Sequence, residues 1–229
     1  YCGYVFLKYL ALSIYPECEV IQFKDGLTPG IVFASNNNQC QISNQNKIIY
    51  VVGEYTQPTT NKKNVIYAGP HADSSNTITL PFLSILAVYE YDVPQLVLKR
   101  PQNTGERFAI YVSRRCTSMR EHAFKLLSSV SQVYAGGKCH GNGVKYIQHG
   151  QSISSNIPCD AYKLMKMYRF ALVMENNDAD YYHTERIMNG FTAGSIPIYW
   201  GSETIFEIFN KNAFIFFNKD NPQETLKQI

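Results

Sequence analysis

At 229 residues the chain exceeds the usual single-domain size yet is short for two generous domains, so two compact lobes or one large α/β unit are open to it. A composition of 45% hydrophobic, 14% aromatic and only 17% charged residues excludes a disordered chain. The net charge of +3, with no dominant run of Lys and Arg, argues against nucleic acid as the main partner but allows a local positive pocket, and no apolar run reaches the roughly 18 residues that mark a bilayer span.

In chain order, Cys2, Val5, Phe6, Tyr9 and Leu10 recur at helical spacing until Pro16 stops the pattern, and Cys18–Phe23 then alternates as a strand does. After the turns at Asp25-Gly26 and Pro29-Gly30, the short apolar run Ile31–Ala34 predicts a buried strand. Lys47–Gly53 and Val65–Ala68 predict two more, and an irregular stretch rich in Ser, Thr and Pro leads to a linker at Pro101–Glu106. That linker divides the chain into lobes 1–103 and 104–229. Beyond it strands and helices alternate: strand Arg107–Ser113, helix Ser118–Val130, strand Gln132–Ala135, a loop at Gly136-Gly137, and a helix near Asp160–Met167. Strand Arg169–Met174, helix Thr184–Ala193, strand Ile196–Trp200, a short helix near Thr204, strand Ala213–Phe217 and a helix opened by Pro222 follow. Repeated β-α units of this kind predict a doubly wound α/β lobe.

The six cysteines, Cys2, Cys18, Cys40, Cys116, Cys139 and Cys159, include no CxxC pair, so buried free thiols and a reducing setting are expected. Cys139, His140, His149 and Cys159 lack the spacing of a zinc site, and there is no Asn-x-Ser/Thr acceptor. A cytoplasmic location is the expectation. Tyr1 stands first in place of Met, so a Golgi lumen is the alternative if an N-terminal anchor was removed.

Ligands of open α/β sheets sit at the carboxyl ends of the strands, which directs attention to the residues following each one. Two of these junctions place an arginine in the first turn of a helix, Arg120 after Ser118 and Arg186 after Thr184. A cation there opposes the helix dipole, and an anion such as a diphosphate would relieve the conflict. Ser118-x-x-Glu121 also has the form of a capping box. Taken singly, each arginine reads more readily as a solvated surface residue, and the two together weaken that reading.

Met174-Glu175-Asn176, Tyr182-His183-Thr184-Glu185-Arg186 and Ile196-Pro197-Ile198-Tyr199-Trp200-Gly201-Ser202 follow one another in an order and spacing that resemble the donor-binding motif of glycosyltransferase family 10, the α1,3/1,4-fucosyltransferases. Ala109–Leu127 resembles the family's strand and Arg-initiated helix, and Gly136-Gly137-Lys138 its glycine turn. Val51-Val52-Gly53-Glu54 resembles its Thr-Gly-Glu segment. The resemblance implies two Rossmann-like lobes facing a cleft, the GT-B architecture, with the acceptor on the first lobe and a nucleotide-sugar donor on the second. It further implies an inverting transfer of fucose from GDP-fucose to a glycan hydroxyl, with no metal and no other cofactor. Arg186 stands where the family has Lys, and the family pattern continues past Ile229 with a helix returning to the first lobe.

Inversion requires a base for the acceptor hydroxyl and positive charge for the departing nucleoside diphosphate. On the resemblance, Glu54 is the base and Arg120 and Arg186 neutralise the diphosphate. Glu185 would hold donor sugar or ribose hydroxyls, Tyr182 and Asn176 would line the phosphate and base region, and Glu175 would cap or orient the loop. A rival lies in Asp178-Ala179-Asp180, which spells the metal-holding Asp-x-Asp of other glycosyltransferases. A non-catalytic nucleotide- or glycan-binding relative is the other alternative.

Overall fold

The computed structural model describes residues 31–35, 47–51, 65–70, 77–79, 101–113, 115–137, 139 and 161–229. The chain divides into two compact units, Tyr1–Asp92 with Ala179–Tyr182 and Val93–Asp178 with His183–Ile229. Among the described residues no helix is long and apolar enough to cross a membrane.

In the first unit β1 (Ile31–Ser35), β2 (Lys47–Val51), β3 (Val65–Gly69) and β4 (Thr77–Thr79) form a sheet in that order. All its pairings are parallel. Their β-branched and apolar residues suit strands covered on both faces, and Tyr67 and Ala68 of β3 are each only 6% exposed. β4 falls in the stretch read as irregular: its three residues pair with Tyr67–Gly69, and a strand that short carries no periodic signal. The expected strand end at Gly53, Glu54 and the helix and strand expected before residue 24 lie outside the described residues.

The second unit carries β5 (Arg107–Ser113), α1 (Ser118–Ser128), β6 (Val133–Gly137), α2 (Ala161–Met165) and β7 (Tyr168–Met174). α3 (Glu185–Ala193), β8 (Ile196–Trp200), a 3-10 helix at Glu203–Glu207, β9 (Ile215–Phe216) and α4 (Pro222–Lys227) complete it. The sheet is fully parallel with order β6-β5-β7-β8-β9. On one side of it Ala109, Tyr111, Phe170, Leu172 and Met174 cluster with Ala123, Phe124 and Leu127 of α1. α3 packs closely as well: a Cβ on Gly190 would stand 3.0 Å from Pro197 of β8 and 3.6 Å from Val173 of β7. Such two-sided cover explains why the strands read as unbroken apolar runs instead of alternating.

Gly136 and Gly137, expected in a loop, instead extend β6, because Val112 and Ser113 of β5 supply a parallel partner for each. The last strand is shorter than the expected Ala213–Phe217. The expected linker is anchored: Asn103 Nδ2 lies 3.0 Å from the carbonyls of both Tyr168 and Ala193, and Thr104 N donates to Lys166 O at 3.2 Å.

The free-thiol expectation fails for two cysteines, since Cys116 and Cys139 form a disulfide across 23 residues. The cause is topological: β5 and β6 are parallel neighbours, so the segments leaving their carboxyl ends run side by side, and Cys139 N donates to Ser113 O at 3.4 Å. Cys139 is therefore also removed from the four-residue metal set considered above.

Candidate active site

The chain leaves β5 toward β6 on one side and returns to β7 on the other, so the strand order reverses between β5 and β7. A crevice for a ligand is expected at such a switch point, outside the carboxyl ends of the two strands. Arg120 lies there. It is fully buried and is the largest side chain so buried among the described residues. Its Nε and Nη2 donate to Met174 O at 3.1 and 2.7 Å, and its Nη1 donates to Ser113 Oγ at 3.2 Å and Arg115 O at 3.0 Å. The guanidinium thus ties the end of β5 to the end of β7, and carbonyl dipoles offset the desolvation of its charge. Its helix start also differs from the expected capping box. Thr117, not Ser118, is the N-cap and makes no side-chain capping bond, while Glu121 accepts a hydrogen bond from Tyr111 Oη at 3.3 Å.

Immediately after β7, Glu175 is likewise fully buried. Its Oε1 accepts from Thr184 N and its Oε2 from Thr184 Oγ1, each at 2.8 Å. Thr184 is the N-cap of α3, so a carboxylate closes the positive end of that helix. Arg186 Nε stands 3.7 Å from Glu175 Oε2. Burial pushes the Glu175 carboxyl up to about 7, against the opposing pull of Arg186 and the two Thr184 bonds, and Glu185 adds to the rise.

His183 was not singled out from the sequence. It is fully buried, with Nδ1 2.9 Å from Tyr199 Oη and Nε2 2.9 Å from Thr204 Oγ1, and Thr204 continues to Ser202 Oγ at 3.1 Å. This side chain joins the start of α3 to the end of β8 and the 3-10 helix. Gly201 permits the close approach: a Cβ there would lie 2.9 Å from Tyr199 Cζ and 3.0 Å from Glu175 Cγ. A lone His beside Tyr in a polar loop gives no signal of burial, because burial depends on β8 folding against it.

Of the residues expected at the site, Arg120 and Arg186 meet the end of β7, Arg120 through Met174 O and Arg186 through Glu175, while Asn176 and Glu185 lie beside them as chain neighbours of Glu175 and Thr184. Glu185 and Arg186 are partly exposed in the first turn of α3. Among the described residues the Asn176 side-chain oxygen is buried with no hydrogen-bond partner, a loss of about 1–3 kcal/mol. Tyr182 is 3% exposed and groups with the first unit; before it Tyr181 adopts φ 59°, the left-handed region that a non-glycine residue enters at a cost. Asp178 pairs with Lys219 at 3.4 Å, both about half exposed. Among the described residues the one set of three possible metal ligands is Cys116, Glu121 and Cys139, two of which form the disulfide.

A parallel sheet whose strand order reverses between β5 and β7, with a helix N-terminus at that edge, defines the doubly wound α/β class. The family is then specific. The C-terminal profile of glycosyltransferase family 10 (fucosyltransferase) matches residues 102–228, more than half of the chain, and the chain belongs to this family. A putative fucosyltransferase of Acanthamoeba polyphaga mimivirus is 32% identical over 179 residues, which are 77% of this chain and 29% of the relative. GDP-fucose protein O-fucosyltransferase 3 of Rattus norvegicus is 28% identical over 152 residues, 63% and 30% of the respective chains. The alpha-(1,3)-fucosyltransferase of Helicobacter pylori is 27% identical over 127 residues, 53% and 24%. The chain therefore spans at most about a third of these relatives' length. Solved structures of alpha1,3-fucosyltransferase share the fold: one with GDP-fucose at TM-score 0.59 and 17% identity, covering 91% of this chain and 81% of that one. Another with GDP gives 0.61 and 21%, covering 92% and 66%. The GT-B-type α/β class expected from the resemblance is the fold observed.

Proposed function

We propose that the chain is the catalytic part of an inverting, metal-independent fucosyltransferase that moves fucose from GDP-fucose to a hydroxyl of a glycan or glycoprotein. The observation that carries this reading is the assembly of Arg120, Glu175, Thr184 and Arg186 at the β5/β7 switch point, within the segment matched by the family profile. The second unit is the donor lobe and the first unit the acceptor lobe. Arg120 supplies positive charge from its fixed place between the strand ends, and Arg186 offers the more exposed guanidinium to the diphosphate. Glu185 takes sugar or ribose hydroxyls, and Asn176 accepts a hydrogen bond from the nucleotide. Glu54 is the base that takes the acceptor proton. The pairing of Asp178 with Lys219 supports a solvated-loop role for Asp178-Ala179-Asp180 over a metal-binding one. For location, the Cys116–Cys139 disulfide favours an oxidising lumen over the cytoplasm.

The test compares nucleotides by thermal shift. GDP at one hundred times its dissociation constant should stabilise the protein by about 2.7 kcal/mol, more than UDP or CMP at the same concentration, and transfer from GDP-fucose should persist in excess EDTA. Equal stabilisation by UDP would remove the fucose assignment, and loss of transfer on chelation, restored by Mn²⁺, would reinstate the metal mechanism.

A further inference from the structure

We propose that Glu175 is a positioning residue for Arg186: it anchors the Nε edge of the guanidinium so that the terminal nitrogens are presented to the donor diphosphate. The inference rests on the donor-site reading above and adds how one of its cations is aimed. Glu175 is fixed independently of Arg186, because both its oxygens are held at 2.8 Å by Thr184 N and Oγ1. Arg186, with a side chain 24% exposed, approaches that fixed carboxylate from the solvent side of the pair, since Glu175 itself is 0% exposed. No hydrogen bond joins the Arg186 guanidinium to any described residue, the 3.7 Å approach to Glu175 being its single ion pair there. A guanidinium has separate edges, so Nε can face one anion while the terminal nitrogens face another. An ammonium offers one point charge and cannot be shared in that way. The contribution of Glu175 to donor binding should then depend on Arg at position 186, a coupling that a simple helix cap would not produce.

Calorimetric titration of the 229-residue chain with GDP-fucose tests this. Glu175→Gln should weaken binding roughly tenfold with Arg186 present and less than about threefold in an Arg186→Lys background. Strictly additive losses would overturn the inference while leaving the donor site standing. Failure of the native chain to bind GDP-fucose at all would overturn both.

Discussion

Arg120→Ala should unfold the second unit much more readily, because its guanidinium is the tie between β5 and β7. The loss has two parts. Removing the largest fully buried side chain leaves a cavity, which by analogy with other large-to-small core changes costs about 2–5 kcal/mol. Met174 O, which receives both Nε and Nη2, loses those donors, worth about 1–3 kcal/mol if it stays dry. Arg115 O keeps the Ser113 hydroxyl at 2.9 Å, and release of a buried charge offsets part of the total. We take a net loss of about 3–5 kcal/mol. With an m-value of about 2 kcal/mol per M, the urea midpoint should fall by about 1.5–2.5 M. Trp200, the single tryptophan, lies in β8 against the core, so its fluorescence reports this unit directly. Arg120→Lys should lose about half as much, since one ammonium cannot span Met174 O and Arg115 O together. A midpoint shift below about 0.5 M for Arg120→Ala would refute the tie and return Arg120 to a surface or purely ligand-binding role.

Glu175 should make stability fall with pH. Its folded pKa of about 7 exceeds the ordinary value of 4.5, so between these the folded state holds the extra proton and stability declines as pH rises, by about 3 kcal/mol in all. Glu175→Gln should therefore match the native chain near pH 4.5 in urea titrations and exceed it near pH 8; the same difference at both pH values would contradict the assignment. Opening the Cys116–Cys139 loop of 23 residues by Cys116→Ser should cost about 3 kcal/mol, and a native urea curve indifferent to a dithiol reductant would argue against the bond. Glu54→Gln should lower kcat by about 10²–10⁴ with little change in GDP affinity, and near-native transfer would move the base elsewhere.

The chain's local chemistry determined which elements form. Apolar runs such as Phe170–Met174 require cover on both faces, Thr184 supplies an N-cap, and Gly194 at φ 71° ends α3, all of which neighbouring residues specify. The ordered spacing from Glu175 to Ser202 made the family and several site residues legible for the same reason, since the motif follows one continuous strand-loop-helix-strand path. Strand order was not legible, because periodicity states that a segment is a strand and not which strand lies beside it. Only the tertiary structure placed β5 between β6 and β7, and two features depend on that placement. Arg120 reaches Met174 O across 54 positions in sequence, and Cys116 meets Cys139 across 23. Glu175 and His183 lose contact with water because β8 and the 3-10 helix close over polar residues that local sequence would leave in solvent. Burial sets both the protonation of Glu175 and the bonding of His183, and burial is a property of the packed layers, not of any stretch of sequence.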